Sequence, residues 1–411
     1  MPGPDATPPS LDSTQPSWRS SIWLLRAAIA GQMISFGVLV VYDAAWMKDN
    51  GLDETMIGLV AAVSTLLGLV CGLGWGVLAD RTGRSDRIIA MGCGGLALAA
   101  VVLAVSHRTW HFFGYAVLRG ISYTMVWTLM PVLAMAAFGQ ASQGRRYGTY
   151  RIFGSAGFTV GTMLLPWLVP QVRGLLLIAT ASFAVACLPI LVYRGRQPAH
   201  RAHGDLRGLL RKGELVGLYV SAFFFATGAP AVYYFTTLYA KHLGAGTRFL
   251  GLLNGTMGLC AIVALPIAGW VVDRYGPRRL VWLAMLAQPM RALTASMIDA
   301  YPWLLLPQLY HMLTWAGLEV GAVVLVSRLA GDGNRATGMA AYAAVMVLGV
   351  TAGAVVCGYM ADHYGYPLMY RLAAASTALG LLIFTPIVLA HWRQRLAGRI
   401  PPPAVPLPPP D

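Results

Sequence analysis

Charge is what this chain has least of. Only 11% of its 411 residues are Asp, Glu, Lys or Arg, while 57% are hydrophobic and the mean hydropathy is +0.61. A soluble domain carries about 25% charged residues, so an ordinary water-facing surface cannot be built from this composition. Lysine is nearly missing, with Lys48, Lys212 and Lys241 the whole supply. The net charge of +14 is therefore mostly arginine. It is scattered through short connections between apolar runs, which excludes the continuous basic face a nucleic-acid binder needs. The five cysteines (Cys71, Cys93, Cys187, Cys260 and Cys357) all lie inside apolar runs. Their odd count and wide spacing exclude a disulfide framework and a zinc site. They read as small buried hydrophobes, and no metal or other cofactor is implied.

Hydrolase motifs are missing as well. There is no His-Glu-x-x-His and no Gly-x-Ser-x-Gly, and Ser106-His107, adjacent in sequence, point to different helix faces. The chain does not read as an enzyme. No cleavable leader is expected either: residues 1–20 are polar and Pro/Ser-rich, and the apolar run after them outlasts a signal peptide. The tails are short and of low complexity, which argues against a sensor with an output domain.

What is present is a series of apolar runs, each near the 20 residues that span a bilayer. They fall near 22–46, 56–79, 88–106, 110–136, 146–170 and 174–194, and then near 215–240, 249–272, 279–298, 302–328, 337–360 and 367–391. The expected fold is an all-α integral membrane protein of twelve transmembrane helices in two six-helix bundles. The N-terminal bundle would cover 21–194 and the C-terminal bundle 215–391. A cytoplasmic linker at 195–214 joins them, and disordered tails at 1–20 and 392–411 flank them, the last Pro-rich. With the N-terminus inside, 21 of the 30 basic residues fall in cytoplasmic segments and six in external ones. That bias predicts a multi-pass protein of the cell (inner) membrane, surrounded by lipid, with both termini cytoplasmic.

The chain also repeats itself. Gly76-Val-Leu-Ala-Asp80-Arg81-Thr-Gly83-Arg84 closes the second run, and Gly269-Trp-Val-Val-Asp273-Arg274-Tyr-Gly276-Pro-Arg278-Arg279 closes the eighth. Recurrence at the same place in each half marks a parallel repeat about an axis normal to the membrane. The glycines suit a tight turn between helix ends and close packing of their neighbours. The Asp and Arg suit a cytoplasmic latch made of Gly76, Asp80, Arg81, Gly83, Arg84, Asp273, Arg274 and Gly276.

At these residues the chain resembles the major facilitator superfamily, whose signature Gly-x-x-x-Asp-Arg-x-Gly-Arg the first half matches in full. The second half matches it through Gly276. The resemblance spans residues 20–392 and implies two bundles, a central cavity and alternating access. Tyr147-Gly-Thr-Tyr-Arg151-Ile-Phe-Gly154-Ser155-Ala-Gly157-Phe158, Gln308-Leu-Tyr-His311-Met312-Leu-Thr314, Arg291 and Tyr233-Tyr234-Phe235 are similar to the lactose-, nucleoside- and phenylpropionate-permease branch. Two acids of the lactose-permease type are missing: Thr314 stands at one position, and none lies between Arg119 and Arg145. Within that branch this favours aromatic or other small carboxylates over galactosides.

Ionisable groups inside a bilayer are costly and mark sites. Arg119, Arg151, Arg291, His311, Tyr233 and Tyr234 are the expected substrate-binding residues. Asp43 and Glu319 are the acids placed within spans, so a proton-coupling carboxylate is one of them. Arg119 is expected to face the cavity with Asp43 or substrate as partner, and Arg291 to meet the tenth span. A structural alternative pairs Glu319 with Arg291, and another bonds His311 to Tyr310 or Tyr342. Tyr42, Trp46, Tyr123, Trp127, Tyr233, Tyr234 and Trp315 are candidates to stack on a ring-bearing solute. The function read from all this is proton-coupled symport of a small organic solute: an aromatic or other carboxylate, a sugar or a nucleoside. Proton-driven efflux of a drug or metabolite is the alternative. Two-bundle carriers can act as monomers.

Overall fold

The computed structural model describes residues 22–138, 143–194, 205–331 and 334–396. Helices occupy all twelve expected positions. In lipid the backbone must satisfy its own hydrogen bonds, which a helix does within each segment. The twelve rods are α1 (Ile22–Asp49), α2 (Glu54–Thr82), α3 (Ser85–Ala104), α4 (Thr109–Phe138), α5 (143–168), α6 (Val172–Val192), α7 (Gly213–His242), α8 (Thr247–Tyr275), α9 (Pro277–Ser296), α10 (Tyr301–Ala330), α11 (Arg335–Tyr364) and α12 (Tyr366–Leu396). A short helix, Leu206–Leu210, precedes α7. The tail at 1–20, residues 195–204 of the linker and the Pro-rich end lie outside the described residues. The last helix runs to Leu396, beyond its expected end at 391.

Ten of the rods are long and apolar enough to cross a membrane by composition alone. The other two are α5 and α9. α5 is assembled from pieces around a π turn at Val160–Leu164 and carries Arg151, Ser155 and Thr159. α9 carries Arg278, Arg279, Gln288 and Arg291. α10 is irregular too: it opens with a 3-10 turn at Tyr301–Leu304 and contains a π turn at Gly317–Ala322. α7 breaks at Tyr234, four residues after Pro230.

The packing repeats between halves. In the first half α1 packs on α5 and α6, α3 on α4 and α6, and α2 on α4. In the second half the same pattern appears six helices later: α7 on α11 and α12, α9 on α10 and α12, and α8 on α10. The halves meet through α2 against α11 and α5 against α8. Glycine permits close crossings here. A Cβ on Gly358 would lie 2.5 Å from the carbonyl oxygen of Glu54, and one on Gly58 would strike that of Ala354.

The junction closes at one end. Opposite the termini, Glu54 accepts from Tyr366 (2.8 Å) and Thr55 donates to Asp362 (2.7 Å). There too Tyr42 donates to the Thr247 carbonyl (3.1 Å) and Lys241 pairs with Asp49. A single apolar core runs from the first half into the α7–α12 ends on that side, around Phe235, Tyr239 and Tyr370. At the terminal end the second half has its own separate core, around Leu218, Phe225, Leu325 and Phe384. Large apolar side chains such as Trp167, Leu168, Val185 and Leu382 face outward, as a lipid-facing surface requires.

The doubled motif sits at the open end. Gly83 caps α2 at φ 62°, and Gly276 joins α8 to α9 at φ 86°, both left-handed positions that favour glycine. That agrees with the tight turns expected there. Close packing at Gly76 and Gly269 was also expected, but a Cβ at either position would meet open space. Arg81, Arg84, Asp273 and Arg274 are exposed; the Asp80 side chain lies outside the described residues.

Candidate functional site

A cavity of about 290 Å³ lies between the halves. α1 contributes Met33, Phe36 and Val40; α4 Tyr123 and Trp127; α5 Arg151, Gly154, Ser155 and Phe158. The second half adds Tyr233 from α7, Met257, Gly258 and Ala261 from α8, and His311 and Trp315 from α10. Gly258 has a reason to be small, since a Cβ there would sit 2.7 Å from the Thr159 hydroxyl.

The wall is mainly aromatic. Tyr123 and Trp127 stack at 5.3 Å between ring centroids, and Phe36 lies 5.6 Å and 5.2 Å from them. Across the cavity the His311 ring stacks on Trp315 at 5.7 Å and meets Tyr233 edge-on at 5.5 Å. Flat apolar walls of this kind accept a planar ring by offset or edge contacts. Of the expected aromatics, Tyr123, Trp127, Tyr233 and Trp315 line the cavity; Tyr42, Trp46 and Tyr234 do not. Tyr42 is buried with its hydroxyl bonded at the closed end, and Trp46 donates to the Leu103 carbonyl. Phe36 and Phe158 complete the wall and were not anticipated. Phe158 ends the very stretch that carries Arg151. Met33, Phe36 and Val40 share one helical face by their spacing, but α1 is apolar on every side, so the sequence alone does not single that face out.

Among the described residues two ion pairs occupy the interior, and they differ in kind. Asp43 is fully buried within the first half. Arg119 meets its Oδ2 at 3.2 Å, the Tyr115 hydroxyl donates to the same oxygen at 3.1 Å, and the Ala44 amide donates to Oδ1. Arg119 is thus satisfied by Asp43 and is not among the cavity's lining residues, contrary to its expected position on the wall.

Arg151 and Glu319 instead pair across the halves, α5 to α10, at 3.2 Å. Arg151 lies about 12 Å along α5 and Glu319 about 16 Å along α10 from the terminal end, so the bridge is near mid-depth. Glu319 is the more open acid, with 37% of its side chain exposed. It belongs to the π turn of α10, a form enriched at functional sites. The alternative pairing of Glu319 with Arg291 is not found.

Arg291 is enclosed and meets no acid among the described residues. It is wholly buried, with Nη2 donating to Gln308 Oε1 (2.5 Å) and to the Val232 carbonyl (3.1 Å), and lying 3.4 Å from Met257 Sδ. Its guanidinium carbon lies 4.6 Å from the centroid of the Tyr233 ring. The contact expected with the tenth span is therefore made, through Gln308. His311 is buried, and its Nδ1 has no hydrogen-bond partner among the described residues, so neither Tyr310 nor Tyr342 holds it there. Tyr234 is half-buried behind the wall, its hydroxyl likewise without a partner among the described residues. Among the described residues no group of three or more His, Cys, Asp and Glu could hold a metal ion.

The model of the MFS_1 like family matches residues 33–372. The chain is 25% identical over 382 residues to the maltose permease of Geobacillus stearothermophilus, covering 89% of this chain and 93% of that one. It is 24% identical over 359 residues to a probable 3-phenylpropionic acid transporter of Escherichia coli K12, covering 82% and 91%. A crystal structure of a variant of the nucleoside transporter NupG superposes with a TM-score of 0.79 at 13% identity, covering 89% of this chain and 99% of that one. At that identity the structural likeness speaks for the fold alone.

Proposed function

This chain belongs to the MFS_1 like family of membrane transporters, and we propose that it is a proton-coupled symporter of a small ring-bearing organic solute. It is a secondary transporter of small solutes and not an enzyme. The observation that carries the finer reading is the Arg151–Glu319 pair, which bridges the halves beside an aromatic cavity. Arg151 lines that cavity, and Glu319 is partly exposed, so protons can reach the acid. Protonating Glu319 removes its charge and loosens the bridge; releasing the proton restores it. A proton can thereby bias which end of the molecule opens.

The aromatic walls support a solute with a planar ring, in line with the similarity to the probable 3-phenylpropionic acid transporter. The arginine bias supports both termini on the cytoplasmic side of the cell membrane. On that orientation the molecule is closed to the outside and open to the cytoplasm, and the doubled motif forms its latch when the inner end closes.

Uptake into proteoliposomes under an imposed inward proton gradient tests this, using labelled aromatic acids, sugars and nucleosides. The expected result is accumulation of one class that collapses with a protonophore and is lost in Glu319→Gln. Uptake indifferent to the gradient, or solute driven out as protons enter, would overturn symport.

A further inference from the structure

One strip of the interior takes no part in the coupling pair. Arg291 and Gln308 fix the register of α9 against α10 by their 2.5 Å bond. Further along, a Cβ on Gly317 would run into the side chain of Ala284. Between these two fixed points the antiparallel helices bring Gln288 opposite His311 and Thr314. Five polar side chains thus share one interface, and all are at least 94% buried.

Their hydrogen-bonding capacity is largely unused. Arg291 Nε and Nη1, both amide atoms of Gln288, His311 Nδ1 and Thr314 Oγ1 have no hydrogen-bond partner among the described residues. Native interiors rarely leave so many polar atoms unmatched in one place. The charge is unmatched too. Asp43 balances Arg119 and Glu319 balances Arg151, whereas among the described residues Arg291 is held by neutral acceptors only. A buried cation without an anion is costly, and more so than on Arg151, which borders the cavity and has its acid.

The strip lies one side chain behind the cavity. Tyr233, Met257 and His311 line the cavity, and Tyr233 and Met257 also touch Arg291. Tyr233 sits at the break of α7, beside Tyr234 and three residues after Pro230, where the helix is interrupted. Its ring is the part of this wall best placed to turn aside.

We propose that the carried solute is a carboxylate whose anionic end passes Tyr233 and pairs with Arg291 in this strip, while its ring stays among the cavity aromatics. Gln288, Thr314 and His311 would supply the remaining contacts around the carboxylate. This deepens the symport reading and rests on its ring-binding cavity.

The test compares near-isosteres, one an anion and the other neutral. Binding of 3-phenylpropionate and 3-phenylpropanamide to the purified full chain is measured by titration calorimetry, in the unaltered protein and in Arg291→Gln and Arg151→Gln. The expected result is an acid bound about tenfold or more tightly than its amide. Arg291→Gln should bring the acid down to the amide's affinity and leave the amide unchanged, a ratio that a general loss of packing does not produce. Equal binding of acid and amide to the unaltered protein overturns the anion site and leaves the ring cavity standing. Acid preference that survives Arg291→Gln and disappears in Arg151→Gln moves the carboxylate to Arg151 and overturns it too. If Arg291→Gln does not fold, the acid–amide comparison in the unaltered protein and in Arg291→Lys, which keeps the charge, decides. Binding of neither compound removes the aromatic-solute reading and this proposal with it.

Discussion

A carboxylate that gains and loses a proton in each cycle needs a route to water and a partner it can leave. Glu319 has both, and Asp43 has neither: it is sealed in the first half with its oxygens taken by Arg119, Tyr115 and its neighbour's amide. The two acids should therefore fail differently. Asp43→Asn leaves Arg119 buried against a neutral side chain, a loss of about 3–5 kcal/mol when a buried pair is broken. It should lower the thermal unfolding temperature markedly, and Asp43→Asn with Arg119→Gln should recover part of the drop. Glu319→Gln opens a pair that borders the cavity, with its acid 37% exposed, so water can replace the lost partner of Arg151. It should lower the unfolding temperature by much less than Asp43→Asn does. At this scale much was legible, because intramembrane charge is scarce enough to enumerate. Arg119 was expected to meet Asp43 or substrate, and it meets Asp43. Which arginine meets Glu319 was not legible, since the answer depends on how α5 of one half faces α10 of the other.

Among the elements, the informative helices are the least regular. α5 and α9 fall short of a membrane span by composition and carry Arg151 and Arg291. Both were read as apolar runs, near 146–170 and 279–298, although the polar residues they carry dilute the apolar signal. The π turns of α5 and α10 and the break of α7 at Tyr234 had no counterpart in the sequence reading. One extra residue in a turn leaves no distinct periodicity in an apolar run. The α2–α11 crossing yields a further prediction. Leucine at Gly358 cannot fit against the Glu54 carbonyl and should hold the closed ends apart. Spin labels at Arg108 and Asp299, one on each half at the closed end, should then separate relative to the parent. Unchanged distances would mean that this crossing does not set the closed state.

For the whole molecule, a repeated packing pattern and a one-sided closure are the features that matter. Each contact within the first half recurs six helices later, which lets the halves move as similar bodies about the cavity between them. The number of runs, the doubled motif and the arginine bias made this architecture readable, because spanning length and charge placement act locally along the chain. Which end is closed was not readable, since a carrier visits both states with one sequence. Labels at Arg87 and Tyr275, exposed residues one on each half at the open end, should draw together when solute and acid pH are supplied jointly. They should do so far less in Glu319→Gln.

The most direct test of Glu319 as the coupling group is to let solute drive protons. Proteoliposomes enclosing a pH-sensitive dye receive an inward gradient of transported solute and no proton gradient. The expected result is acidification of the lumen with the unaltered protein. With Glu319→Gln there should be none, while solute-for-solute exchange continues. Acidification by Glu319→Gln at the parental rate would contradict Glu319 as the coupling group and place the proton elsewhere.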